Sequence, residues 1–337
     1  MDPDSAEGKW RPFPKVELHL HLDTSVSYRV ASALEPGLTR ERYDEEFVAP
    51  PLVGSLTAFL QRAWRQVALL QTEVALRLLA TDVVEQLAED GVAYAELRFA
   101  PLLHLEQGLT PAQVVSTVID AASTAGADHN VHIGFILCTL RHFDAEQSMA
   151  TALLVEKFAA RGFTVGFDLA GDEINHPLDA HLPAFEHIRS HRLPFTVHAG
   201  EAGGPENVTE VLDALSPTRI GHGVRCVEDP VVLARVATER VHLEVCPSCN
   251  VQTEVSPSYA GHQLGALRAA GVELGISTDQ RTITPVTLSR EYARLEHHLG
   301  WTKADFLRAN LSALAVSFAS DEVKLAISDR LTAGYAD

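Results

Sequence analysis

Eight short runs of apolar and β-forming residues recur along the chain, and most of them are separated by stretches with helical spacing of apolar residues. The runs cover residues 16–21, 93–99, 131–137, 164–169, 195–198, 219–222, 241–245 and 272–277. Alternating strands and helices predict a parallel sheet with right-handed crossovers. Eight such units predict an α/β fold, a closed TIM-type (β/α)8 barrel. A doubly wound open sheet or two smaller α/β domains are the alternatives, but the Gly-rich turn usual in a nucleotide-binding doubly wound fold is absent after the first run.

The spacing of the runs predicts where the barrel is elaborated. Later runs begin some 20 to 40 residues apart, whereas the gap between His21 and Ala93 is far longer. We therefore expect a helical insertion after strand 1, at about residues 24–75, that forms a short lid or a pocket wall. Residues 288–298 and 303–320 predict extra C-terminal helices. Because no Gly/Ser/Pro-rich linker interrupts the chain, we predict one barrel domain over residues 1–337.

Net charge argues against polyanionic partners. The chain has 27 Lys and Arg against 45 Asp and Glu, a formal charge of −18. Such a field repels nucleic acid and anionic membranes, so we expect neither as a partner and a small molecule instead. With no long apolar stretch and no basic leader followed by an apolar segment, we expect a cytoplasmic protein. An oligomeric state does not follow from the sequence.

The four cysteines are Cys138, Cys226, Cys246 and Cys249. Cys246 and Cys249 form a Cys-x-x-Cys run, but a zinc site of that kind normally needs a second pair of ligands, and a redox site needs a thioredoxin-like context. We therefore interpret all four as reduced thiols.

Histidines and carboxylates gather where the predicted strands end, which is where barrel enzymes carry their chemistry. His19, His21 and Asp23 alternate along the first strand and its end, so their side chains share one face. Two imidazoles on one face of a barrel interior are expensive to bury unless they bind something.

Further candidates follow the later strands. His198 and Glu201 follow the fifth run, His222 ends the sixth and Asp279 follows the eighth. Together, His19, His21, His198 and Asp279 offer three nitrogen ligands and one oxygen ligand, a set that suits Zn²⁺ with one position left for water. Glu201 and His222 are then free to move protons.

Seven ordered motifs carry a family resemblance. They are residues 14–23 (PKVELHLHLD), 96–101 (ELRFAP), 168–173 (DLAGDE), 197–201 (VHAGE), 220–223 (IGHG), 244–247 (EVCP) and 277–279 (STD). With these motifs the chain resembles the adenosine deaminase family along nearly its full length. The resemblance implies an α/β barrel, a catalytic zinc bound by His19, His21, His198 and Asp279, and hydrolytic loss of ammonia from the 6-position of a purine nucleoside.

The resemblance also implies roles around the substrate. Glu201 would donate a proton to the purine N1, and His222 would orient or deprotonate the zinc-bound water. Gly171 would offer its backbone N–H to N3, and Asp23 would accept a hydrogen bond from the ribose 5'-hydroxyl. Asp23 could instead orient a neighbouring imidazole. Proton donation requires that burial or nearby negative charge raises the pKa of Glu201.

In the insertion, Leu56, Phe59 and Leu60 are candidates for the wall of the ribose pocket.

The chain departs from the family pattern at two positions. Relatives commonly have a second aspartate after the metal-binding one, and when protonated it donates to the purine N7; this chain has Gln280. Either the amide NH₂ of Gln280 donates to N7 and preserves purine recognition, or the change marks a different base or nucleoside. Thr24 stands where many relatives have Gly, and its side chain could crowd the 5' end of the nucleoside.

The leading hypothesis is a zinc-dependent purine nucleoside aminohydrolase that converts adenosine or 2'-deoxyadenosine to inosine or 2'-deoxyinosine. Because of Gln280 and Thr24, an alternative hypothesis is a deaminase that acts on another 6-aminopurine, such as adenine, aminodeoxyfutalosine or a modified nucleoside. A nucleotide is disfavoured because Asp23 would repel a 5'-phosphate. The remaining alternative is a non-catalytic nucleoside-binding barrel, which the complete set of ligands with Glu201 and His222 argues against.

Overall fold

Eight parallel strands form the barrel wall. The computed structural model describes residues 6–53 and 56–336, without the side chains of residues 56–60. In this part of the chain the strands are β1 Lys15–His21, β2 Val92–Phe99, β3 His132–Leu140, β4 Val165–Ala170, β5 His198–Ala199, β6 Arg219–His222, β7 His242–Val245 and β8 Leu274–Ile276. They pair in order as β1-β2-β3-β4 and β5-β6-β7-β8, and the parallel bridges Phe167–Phe195 and Leu20–Asp279 join the two halves into a barrel.

Each predicted run overlaps a strand, so the predicted TIM-type fold is confirmed. The largest difference is at β5, which begins at His198 rather than at Phe195. The backbone before it still pairs with β4, because Phe167 N donates to Pro194 O and Thr196 N donates to Phe167 O.

Helices surround the strands. In the described residues they are α1 Glu7–Trp10, α2 Tyr28–Leu34, α3 Arg40–Phe47, α4 Leu56–Val67, α5 Glu73–Glu89, α6 Pro111–His129, α7 Ala145–Ala159, α8 Leu182–Ser190, α9 Pro205–Leu215, α10 Pro230–Thr238, α11 Pro247–Gln252, α12 Leu264–Ala269, α13 Leu288–Leu299, α14 Lys303–Val316 and α15 Asp321–Tyr335. Side chains fix several starts: Thr110 and Gln113 form a capping box at α6, and Asp144 and Gln147 form one at α7. No described helix has the length and apolarity needed to cross a bilayer.

The predicted insertion is confirmed as three helices, α2 to α4, ahead of α5 in the first connection. Tyr43 on α3 donates its hydroxyl to the Val26 carbonyl at 2.8 Å. Arg65 on α4 pairs with Glu35 and with Glu46. These contacts hold the helices of the insertion together.

The C-terminal helices pack against the strands of the barrel. α13 and α14 match the predicted segments, and α15 extends beyond them, burying Ile327, Leu331 and Tyr335. The loop between α14 and α15 inserts Phe318 beside β4, where a Cβ on Gly166 would lie 2.3 Å from the ring. Glycine at position 166 is therefore required for this packing.

Candidate active site

A cavity of about 860 Å³ opens at the carboxyl ends of the strands. Eight of the nine residues proposed from the sequence line it: His21, Asp23, Gly171, His198, Glu201, His222, Asp279 and Gln280. The ninth, His19, is fully buried on β1. Barrel topology thus brings residues far apart in the chain to one wall.

Side chains from three places in the chain converge at one point of this wall. His21 Nε2 lies 3.2 Å from His198 Nε2. Asp279 Oδ1 lies 3.4 Å from Nε2 of both His19 and His21. The backbone fixes Asp279 beside β1, since its N–H donates to His19 O and its carbonyl accepts from His21 N. His19 Nε2 is buried and has no hydrogen-bond partner among the described residues.

Two buried carboxylates orient the imidazoles from behind. His19 Nδ1 donates to Glu244 Oε2 at 2.9 Å, and His198 Nδ1 lies 3.0 Å from Asp168 Oδ2. Arg98 joins the two carboxylates, donating to Asp168 at 2.9 Å and to Glu244 at 2.6 Å. With Nδ1 engaged, each ring presents Nε2 to the convergence point, which is the orientation that metal-binding histidines need.

Burial sets the protonation of two imidazoles. It lowers the pKa of His21 to about 4 and that of His222 to about 4, so both rings are neutral near pH 7. At His198 burial also disfavours the charge, but the Asp168 carboxylate outweighs it and raises the pKa. Neutral rings with free lone pairs are suited to bind a cation.

Glu201 lies beside this cluster. Its Oε2 is 3.6 Å from His222 Nε2, and its side chain is about a quarter exposed, toward the cavity. Burial, and then the negative charge of Asp279, raise the pKa of Glu201 to about 8. The carboxyl group is therefore protonated at neutral pH and can donate a hydrogen bond or a proton.

The backbone is strained where two of these side chains are presented. His222 has φ of +60° and Asp279 has φ of +64°, in the left-handed region that residues other than glycine rarely adopt. Such conformations cluster at functional sites, because the surrounding structure must stabilise them.

Glu173 is a residue of the site to which the sequence analysis gave no role. Its buried carboxylate accepts backbone N–H groups from Gly200 at 2.9 Å, Glu201 at 2.7 Å and Gly203 at 2.8 Å. Glu173 thus fixes the turn that carries Glu201. The sequence places Glu173 in the 168–173 motif, but nothing in it pairs that motif with the turn after β5.

Asn250, on α11, is a second such residue. Its Nδ2 lies 3.3 Å from His222 Nδ1, while its Oδ1 is buried without a hydrogen-bond partner among the described residues. If Asn250 Nδ2 donates to His222 Nδ1, the neutral His222 ring carries its hydrogen on Nε2. If the amide is rotated by 180°, His222 Nδ1–H donates to Asn250 Oδ1, and Nε2 of His222 is a free base. The orientation of the Asn250 amide is therefore linked to which ring nitrogen of His222 carries the hydrogen.

The proposed substrate contacts lie around the same cavity. Asp23 Oδ2 accepts the backbone N–H of Ala100 at 3.0 Å and lies 3.8 Å from His104 Nε2. Gly171, at the end of β4, has φ of +103°, which favours glycine. Gln280 Nε2 is 3.5 Å from Asp279 Oδ2, and its Oε1 is buried without a hydrogen-bond partner in the described structure.

The insertion forms part of the cavity wall through Val53, Ala63, Trp64 and Val67. The side chains of Leu56, Phe59 and Leu60, which we considered for the ribose pocket, lie outside the described part of the structure. Thr24 also lines the cavity.

The four cysteines are free and buried, which agrees with their interpretation as reduced thiols. Burial raises the pKa of the Cys246 and Cys249 thiols well above the usual value, which disfavours the thiolate form of both. Cys249 lies beside Glu201, with Sγ 3.9 Å from Oε1.

Comparison with known sequences gives one consistent match. The family model for adenosine deaminase matches residues 14–334. The chain is 35% identical to adenosine deaminase 1 of Streptomyces coelicolor, covering 97% of this chain and 88% of that protein. It is 34% identical to the adenosine deaminase of Lacticaseibacillus casei, covering 96% of each.

Solved structures share the fold. The adenine deaminase of Arthrobacter aurescens aligns with a TM-score of 0.84 at 27% identity, covering 95% of this chain and 98% of that one. A zinc-bound amidohydrolase from Burkholderia ambifaria aligns with a TM-score of 0.88 at 23% identity, covering 98% and 92%. Arabidopsis ADAL complexed with IMP aligns with a TM-score of 0.86 at 24% identity, covering 97% and 98%. The last two matches support the fold alone.

Proposed function

The chain belongs to the adenosine deaminase family of hydrolytic deaminases, and we propose that it is a zinc-dependent purine nucleoside aminohydrolase acting on adenosine and 2'-deoxyadenosine. One observation carries the proposal. Three imidazole nitrogens and one carboxylate oxygen converge at the cavity wall, next to a carboxyl group that is protonated at neutral pH.

The residues present fit zinc. His19 Nε2 is buried without a hydrogen-bond partner among the described residues, and two Nε2 atoms face each other at 3.2 Å. A cation bound between them would satisfy both lone pairs. We propose that His19, His21, His198 and Asp279 hold it, a set of nitrogen and oxygen donors that zinc prefers. Zinc bound there would lower the pKa of a coordinated water from about 15.7 to about 7, which supplies a nucleophile at neutral pH.

Glu201 is proposed to activate the purine. The aromatic C6 is a poor electrophile, so protonation at N1 is needed to weaken its conjugation as the nucleophile attacks. With its pKa raised to about 8, the Glu201 carboxyl holds that proton at neutral pH. Glu173 keeps the donor in place through the three backbone N–H groups that it accepts.

His222 is proposed to act on the nucleophile. Its ring lies beside the ligand cluster, with its centroid 4.7 Å from that of His19, and it is neutral at pH 7. The Asn250 amide sets which nitrogen carries hydrogen, so Nε2 either donates a hydrogen bond that orients the attacking oxygen or accepts its proton.

The cavity favours a nucleoside over a base or a nucleotide. Its volume of about 860 Å³ is toward the upper end of the roughly 300–1,000 Å³ found for small-molecule sites, which gives room for a sugar. Gly171 and Gln280 are proposed to contact N3 and N7. Asp23 is proposed to accept from the ribose 5'-hydroxyl, and its charge disfavours a 5'-phosphate.

Adenine is the second candidate substrate, because a structural match at 27% identity is an adenine deaminase. We would measure loss of the adenine absorbance with adenosine, 2'-deoxyadenosine, adenine and AMP, with ammonia release measured in parallel. The nucleosides should have the highest kcat/KM. A higher kcat/KM for adenine would overturn the nucleoside assignment and retain the deaminase, whereas no ammonia from any 6-aminopurine would overturn both.

Zinc dependence has its own measurement. The purified, active enzyme should contain zinc at the catalytic cluster, and a strong chelator should remove both the metal and the activity. Added zinc should restore them. Full activity in protein that elemental analysis finds free of transition metal would refute the proposed role of the four ligands.

A further inference from the structure

A second group of histidine and carboxylate side chains lies outside the barrel, between α7 and α8. His187 and His191 are four residues apart along the end of α8, so their rings share one side of the helix, with centroids 4.2 Å apart. Glu156 reaches them from α7. His187 Nε2 lies 2.8 Å from Glu156 Oε2, and His191 Nε2 lies 3.8 Å from Glu156 Oε1. One ligand atom from each of the three lies within 4.8 Å of the others.

Backbone contacts fix the chemical form of His191. Its Nδ1 lies 2.8 Å from the carbonyl oxygen of His187, so Nδ1 carries the hydrogen and donates it. In the neutral ring, Nε2 then has a free lone pair, and this atom lies on the side of the ring that faces Glu156. A hydrogen bond from the far ring nitrogen to a carbonyl is the arrangement that orients metal-binding histidines.

We propose that Glu156, His187 and His191 bind one Zn²⁺ ion at the surface, separate from the catalytic cluster. Two imidazoles four residues apart on a helix and one carboxylate from a neighbouring helix form a donor set that zinc accepts. An ordinary ion pair accounts for the contact between His187 and Glu156, but His191 Nε2, at 3.8 Å from Glu156 Oε1, is too far from it for a hydrogen bond. The side chains are 19%, 45% and 40% exposed for His187, His191 and Glu156, so water can complete the coordination.

The site links two crossover connections. α7 follows β3, while α8 leads from β4 to the segment that carries His198. Zinc held between the helices would therefore cross-link them in the folded state only, and binding to the folded state alone raises stability by mass action. This proposal does not depend on the nature of the reaction.

The test is zinc stoichiometry. Purified protein would be dialysed against free zinc held in the low micromolar range by a chelator buffer, and bound zinc per chain would be measured by elemental analysis. We expect H187A/H191A to bind one zinc fewer per chain than the wild type while its deaminase turnover is unchanged. Added zinc should raise the melting temperature of the wild type more than that of H187A/H191A.

The matched control is H297A/H298A, which removes two exposed histidines of α13 that belong to no group of three possible metal ligands among the described residues. It should retain the wild-type zinc count. E156Q, which keeps the side-chain shape, and H191A, at the most exposed of the three positions, should each lose the same zinc; circular dichroism checks their folding. Equal zinc counts in the wild type and H187A/H191A, or an equal loss in the control, would overturn the site.

Discussion

The barrel interior and its carboxyl-terminal mouth both contain charged groups, but they arrange them differently. In the interior, Arg98 and Arg219 are fully buried, and each contacts two carboxylates. At the mouth, imidazole nitrogens and carboxylate oxygens face one another, with Nε2 atoms of His21 and His198 only 3.2 Å apart. Each of these interior charges has an oppositely charged partner in the protein, whereas the mouth brings together electron-pair donors that a cation could bind.

This difference separates buried charged groups that stabilise the fold from polar groups that act on a ligand. Paired buried ions specify how strands fit together, and removing one partner is costly. At the mouth, His19 Nε2 has no hydrogen-bond partner among the described residues, and His222 and Asp279 adopt left-handed backbone conformations. Both features cost stability, and the convergence of these side chains at one cavity indicates that they act on a ligand. Substitutions in the two regions should therefore fail in different ways.

Glu201→Gln should have the largest effect on activity. The amide has the shape of the carboxyl group but cannot transfer a proton, so kcat should fall by about 10² to 10⁴. Zinc content and the unfolding midpoint should remain close to those of the wild type. Near wild-type turnover in a zinc-loaded variant would exclude Glu201 as the proton donor.

Arg219→Met tests the interior. It leaves Glu96 and Glu244 without one of their cationic partners in a fully buried place, which should cost about 3–5 kcal/mol of unfolding free energy. Urea unfolding followed by circular dichroism would measure this loss. Arg235→Met, at a surface ion pair with Asp213 and Glu239, is the control and should leave the midpoint unchanged. Equal stability of the two variants would contradict a structural role for the interior network.

Asp168→Asn probes the boundary between the regions, because Asp168 contacts both Arg98 and His198. The neutral amide supports the imidazole less well, so zinc affinity should fall about 10–100-fold in competition with a chelator. Glu96→Gln is the matched control: it removes an interior charge that pairs with Arg219 and should reduce stability without changing zinc affinity. If Asp168→Asn and Glu96→Gln bind zinc with equal affinity, the interior network does not affect how strongly the imidazoles bind zinc.

The pH profile of kcat/KM should reflect the raised pKa of Glu201 in the free enzyme. Because the protonated form is the active one, activity should persist through neutral pH and fall above about pH 8, tenfold per pH unit once the group has ionised. The residual activity of Glu201→Gln should lack this alkaline decline. A wild-type rate that is still constant well above pH 8 would argue for another donor.

Gln280→Ala should have the smallest effect. Loss of one neutral hydrogen bond to N7 should cost adenosine about 0.5–1.5 kcal/mol in transition-state stabilisation, measured through kcat/KM. With 7-deazaadenosine, which lacks that acceptor, the substitution should cost nothing. If it reduces kcat/KM equally for both substrates, Gln280 makes no N7 contact.

Much of the fold follows from local sequence pattern. The eight runs, the long first gap and the C-terminal helical segments were enough to predict the barrel, because strand and helix periodicity are read directly from neighbouring residues. The shortened β5 and α15 were not predicted. The length of β5 depends on its pairing with β4 and β6, and α15 is stabilised by burying residues such as Leu331 against the rest of the fold.

The order of amino acids specifies which chemical groups are present, and barrel topology explains why those at the ends of β1, β5, β6 and β8 meet. Which other groups support them depends on the folded arrangement. Glu173 accepts the N–H groups of a turn 27 to 30 residues away, and Glu244 lies 225 residues from His19. Such pairs have no sequence signal, because their contacts depend on strand register and side-chain direction across the closed barrel. The raised pKa of Glu201 likewise comes from burial and from Asp279, which only folding brings near.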